Sequence, residues 1–123
     1  MGERRAYRAC DMQRQDYIER MIQQVAAAIA RALGMAQRGR SDEARHELDA
    51  AWSGALGLRR GDVERFDDAT LRMLLAGRIE PAAALLDAEA EVRRAAGDAA
   101  AAERLRAVAG RLRRSATAGS ADD

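Results

Sequence analysis

Apolar residues recur at helical spacing through most of the chain, and polar or glycine-rich interruptions divide them into segments. In the stretch from Asp16 to Trp52, Ile18, Ile22, Val25, Ile29, Leu33 and Ala36 form one stripe, which Met21, Ala28, Ala32 and Met35 widen on one side. Such spacing predicts a long amphipathic helix, because residues three and four apart share a face. Asp16 is placed to cap its start, since a short acidic side chain accepts hydrogen bonds from unpaired first-turn amides. Gly39 is placed to end it, because glycine reaches the left-handed conformation without a side-chain penalty. A second helix then starts from Ser41 or Asp42, with Ala44, Leu48, Ala51, Trp52, Ala55 and Leu56 facing inward. So short a connection makes the two helices antiparallel.

The remaining pattern predicts three more helices. Gly57 and Gly61 interrupt the chain, and Leu58, Val63 and Phe66 anchor a connector that holds one short helical turn. Asp67 or Asp68 opens a helix with Leu71, Leu74 and Leu75, which stops at Gly77. Pro81 fits the first turn of the next, carrying Leu85, Leu86, Ala88, Val92 and Ala96 up to Gly97. Asp98 caps the last, whose inward face is Ala102, Leu105, Val108, Ala109 and Leu112. The expectation is an all-α chain of about five helices in antiparallel hairpins, with 12–114 as its single domain. Residues 1–11 read as a flexible N-terminal extension, with translation from Met12 as the alternative, and 115–123 as a disordered tail.

Gly39, Ser41, Asp42, Glu43, Ala44, Leu48 and Ala51 are spaced as in the turn and second helix of a tetratricopeptide repeat, which this segment resembles. From Met12 onward the chain is also similar to a family of small bacterial helical proteins of uncharacterised function. The resemblance implies an irregular stack of helical hairpins; a closed helical bundle is the alternative. It does not imply a peptide groove, since Ala28, Arg31, Ala32 and Met35 stand where the repeat favours tryptophan, leucine, glycine and tyrosine. A glycine followed five residues later by alanine occurs at Gly39, Gly77 and Gly97, at unequal intervals, so no fixed repeat period exists.

Composition narrows the function. Four aromatic residues, Tyr7, Tyr17, Trp52 and Phe66, are too few for a base-stacking platform. The formal net charge of +1 hides an acidic middle, with twelve acids against six arginines over 42–91, between basic flanks. Lysine is absent, so the arginines reflect codon composition before any selection for forked hydrogen bonds. One cysteine, Cys10, forms no internal disulfide, and no secretory leader or membrane-spanning run is visible, which leads us to expect a cytoplasmic protein.

Chemistry is sparse. His46 is the single histidine; with Glu43 it makes one E-x-x-H pair, where carboxylate-bridged metal sites need two. No catalytic, cofactor or metal residues are therefore assigned. The expected function is a protein-interaction module, an adaptor or self-associating scaffold whose partner is another protein or a second copy. Its contacts would come from the Ile18 to Met35 face, with Met21, Met35 and Trp52 as candidates; Trp52 reads either as a core anchor or as an interface anchor. The alternative is a nucleic-acid-associated regulator. It would use the arginines of the last helix, of which Arg104, Arg111 and Arg114 project together; the same residues also suit a solvated rim whose stems cover the core.

Overall fold

The computed structural model describes the backbone of residues 2–121 and the side chains of residues 14–114. Among the described residues there are six helices and no strand: α1 (Gly2–Gln37), α2 (Ser41–Leu56), α3 (Arg60–Val63), α4 (Asp68–Leu74), α5 (Ile79–Ala95) and α6 (Ala99–Ala121). The all-helical class is as expected, α3 being the short turn of the connector. The expected extension and tail fall largely on positions whose side chains lie outside the described residues, as does Cys10. The α1 backbone runs from Gly2 without a break, so Asp16 lies inside a helix and caps nothing.

Local chemistry sets most of the other boundaries. Gly39 takes φ +78°, and the N–H groups of Gly39 and Arg40 donate to the carbonyls of Ala36 and Met35, which satisfies the last turn of α1. Gly97 closes α5 in the same way, with bonds from Gly97 and Asp98 to Arg94 and Arg93. Asp67 accepts from Thr70 N–H at 2.7 Å and starts α4; Asp98 accepts from Ala101 N–H at 3.1 Å and starts α6. Arg78 donates to the carbonyls of Leu56 and Leu74, the last residues of α2 and α4, at 2.8 and 2.7 Å. One guanidinium thus ties two helix ends together.

The packing centre is α5. It touches α1, α2 and α6, while α4 lies on α6 and α3 on α2. Its buried residues, Ala82, Ala83, Leu85, Leu86, Ala88, Glu89, Ala90 and Val92, occupy most of its circumference. Four alanines in that set keep the neighbouring helices close, and the leucines fill the space between them. The Asp16 to Trp52 hairpin is therefore one wall of the core and not its organising element.

On α1 the buried face is turned relative to the expected stripe. Met21, Val25, Ala28, Ala32 and Ala36 are buried, whereas Ile18 and Ile22 are exposed and Leu33 is half-buried. Met21, Ala28 and Ala32, expected to widen the stripe, lie within the buried face, while Met35 is half-buried. Alanines at 28, 32 and 36 allow close approach of α2 and α5, so the larger isoleucines are left at one edge.

Candidate functional site

Two places carry features beyond ordinary core packing: the uncovered part of α1, and a charged cluster where α3 meets α5.

α2 has 16 residues and begins three residues after α1 ends, so it runs back along α1 only as far as about Met21. Residues 14–20 are all exposed, and Met21 is the first buried side chain among the described residues. Tyr17 is 61% exposed, Ile18 40% and Ile22 49%. Ile18, Ile22, Ile29 and Leu33 fall on one edge of the helix, so apolar surface continues from the uncovered segment along the folded body. At the foot of this segment lies a groove lined by Tyr17, Arg20, Met21, Gln24, Gly54 and Ala55. Gly54 makes it possible, since a Cβ there would stand 3.1 Å from the Gln24 side-chain nitrogen.

The charged cluster surrounds Glu89, which is only 3% exposed. Arg60 Nε and Nη2 donate to its two carboxylate oxygens at 2.7 and 3.0 Å, and Arg60 Nη2 also reaches Glu64 at 3.1 Å. This fork fastens the connector helix α3 to the central helix α5. Burial alone would depress the Arg60 pKa, but its hydrogen bonds and charge pairing with Glu89, then Glu64, outweigh burial and raise it. Arg93 approaches Glu89 at 3.9 Å, while its Nε is buried without a partner. The Asp49 carboxyl on α2 is held above the usual aspartate range by partial burial and by the negative charge of Glu89, against the opposing pull of Arg60, His46 and Arg45. The folded state therefore holds the Asp49 proton more tightly than the unfolded chain, and stability falls as pH rises through the raised pKa. Asp49→Asn is expected to be neutral or slightly stabilising at pH 7 in thermal melts, with its advantage disappearing in acid; a clear loss of stability at pH 7 would contradict this.

Other expected site residues are dispersed. Trp52 is fully buried, with its indole nitrogen unpartnered, and Met21 is also in the core. Trp52 is thus the core anchor of its two expected readings, and Met21 also packs in the core, so neither serves as the surface contact that was the other expectation. Met35 is half-buried and lines a second groove with Asp42, Glu43, His46, Glu47 and Ala50. Among the described residues no group of three histidine, cysteine or acidic side chains is arranged to hold a metal ion.

The arginines of α6 are mostly engaged within the chain. Arg106 pairs with Glu91, and Arg111 with Asp68 at 3.2 Å. Arg113 donates to Glu80 and to Asp87, at 2.9 and 2.6 Å, and these hydrogen bonds hold its pKa above the usual range. Arg104 and Arg114 are exposed and have no acidic partner among the described residues. The three expected to project together are thus split between rim and solvent.

Sequence reasoning missed Glu89. Its signal was present: it lies four residues after Leu85 and three before Val92, in the middle of an apolar stripe where a charge needs a buried partner. Which arginine supplies that partner, Arg59 or Arg60, is fixed only by the turn into α3.

Among the described residues no helix is long and apolar enough to cross a membrane. Comparison with known proteins finds no family model, curated protein or solved structure that matches the chain.

Proposed function

We propose that the chain is a helical protein-interaction module of the cytoplasm, and that it docks through the exposed edge of α1. The observation that carries this reading is the apolar edge begun by Ile18 and Ile22, on a helix that outruns every element packed against it. Exposed aliphatic side chains in a row gain free energy when covered, at roughly 25 cal/mol per Å² of apolar surface removed from water. The tetratricopeptide-like stacking of hairpins belongs to the same proposal; it is supported by α5 lying against both helices of the first hairpin.

The test is affinity capture from host lysate at moderate salt, comparing the wild-type chain with Ile22→Glu. Ile22 is half exposed, so the substitution leaves the core untouched. The expected result is a protein, or untagged copies of the chain, retained by the wild type and lost at least tenfold in the variant. Equal recovery by both would contradict the reading. Salt-sensitive recovery of nucleic acid, abolished by Arg104→Gln with Arg114→Gln, would instead favour a nucleic-acid role.

A further inference from the structure

Every large apolar side chain that is exposed among the described residues stands at one end of the molecule: Tyr17, Ile18 and Ile22 on α1, and Met73 and Leu74 on α4. The close of α2 defines that end. Tyr17 and Arg20 share a groove with Gly54 and Ala55, and the next carbonyl, that of Leu56, accepts from Arg78, which also donates to the carbonyl of Leu74. α1 continues past this point, and its buried stripe continues with it. Arg14, Ile18, Met21, Val25 and Ala28 follow one another in steps of four and three residues, so they share one face. Beyond Met21 that face is uncovered, since residues 14–20 are all exposed. The α1 overhang and the end of the bundle therefore make the wall and roof of an open notch.

The notch is basic. Arg14, Arg20 and Arg78 border it, and none has an acidic partner among the described residues. The carboxylates of the same elements are turned away or already engaged. Asp16 and Glu19 fall on the opposite side of α1; Asp67 caps α4 under the charge of Arg72, Asp68 pairs with Arg111, and Glu80 with Arg113.

We propose that the notch takes an acidic amphipathic helix of a different protein, laid along α1 with its apolar face on Tyr17 and Ile18 and its carboxylates toward Arg14, Arg20 and Arg78. The proposal rests on the reading of α1 as the docking element and names the chemistry of its partner. Arg20 and Ile22 form the two rims, so the partner helix extends along the overhang the packing that α2 and α5 make further up α1. Apolar contact supplies the free energy, and the arginines choose the partner. A second copy docked by the same face would set Arg14, Arg20 and Arg78 against their own counterparts, because a twofold interface brings the same patch together.

The experiment is fluorescence anisotropy of two designed helical peptides titrated with the full chain at low salt. One carries leucine in alternating steps of three and four residues with glutamate on both flanks; the other has lysine in place of every glutamate. The glutamate peptide is expected to bind at least tenfold more tightly, a preference that shrinks as salt rises. Arg14→Glu with Arg20→Glu is expected to invert the preference, and Ile18→Ser to weaken the glutamate peptide without inverting it. Arg78 is kept because it closes two helix ends. Emission from the buried Trp52 reports that each variant remains folded. Equal binding of the two peptides, binding of neither, or an unchanged preference in the charge-reversed chain would overturn the proposal. So would binding to phosphatidylglycerol vesicles but not to the glutamate peptide, the mark of a membrane surface, or a chain of twice 13.4 kDa by light scattering that the glutamate peptide does not dissociate, the mark of a second copy. If Ile22→Glu loses its protein from lysate yet the glutamate peptide is not preferred, only the acidic identity of the partner fails; if Ile22→Glu changes nothing, the docking reading itself fails.

Discussion

Glu89→Leu is expected to cost about 3–5 kcal/mol of folding stability, the range found when one member of a buried ion pair is removed. The reason is the partner left behind. Arg60 would keep only the exposed Glu64, and Arg93 would lose its nearest carboxylate, while both guanidiniums remain partly buried. Replacing both members, as Arg60→Leu with Glu89→Leu, removes the more deeply buried of the two stranded charges and leaves only the more exposed Arg93, so it is expected to recover more than half of the loss. Urea unfolding of Glu89→Leu, Arg60→Leu and the double variant checks this. A single Glu89→Leu as stable as the double would mean that the Arg60 fork does not hold the connector on α5.

Trp52→Ala is expected to cost about 3–5 kcal/mol, because a fully buried indole is lost and its space cannot refill from helices already close-packed. Trp52→Phe separates packing from hydrogen bonding. The indole nitrogen has no partner in the core, so phenylalanine removes a desolvated donor while leaving a smaller void. Its loss is expected to be less than half that of alanine. Equal losses for the two variants, measured by chemical unfolding, would point to a bond from the indole nitrogen that the packing does not reveal.

Helix ends were legible wherever one residue sets them. Gly39, Asp67, Gly97 and Asp98 each act through bonds to residues three to five positions away, and such chemistry is written locally. The rotation of α1 was not legible. Ile18, Ile22 and Leu33 satisfy helical periodicity as well as Val25, Ala28 and Ala32 do, and only the placement of α2 and α5 decides which edge is covered. The same limit applies to the candidate contacts: Trp52 and Met21 lie in the core, while Tyr17 and Ile22 lie outside it. Apolar character alone does not distinguish a core residue from a docking residue. Arg111 and Arg113 likewise found Asp68, Glu80 and Asp87 across 26 to 43 positions of sequence, pairings that no local pattern encodes.

The central claim is that the exposed edge of α1 is where this molecule meets a protein. Its most direct test places a photo-crosslinking amino acid at position 22 of the full chain in its host, with the same group at Arg59, exposed on the connector, as control. Illumination is expected to give one discrete adduct from position 22, a second copy or a single other protein, and none from position 59. No adduct from position 22, or the same adducts from both positions, would contradict the account.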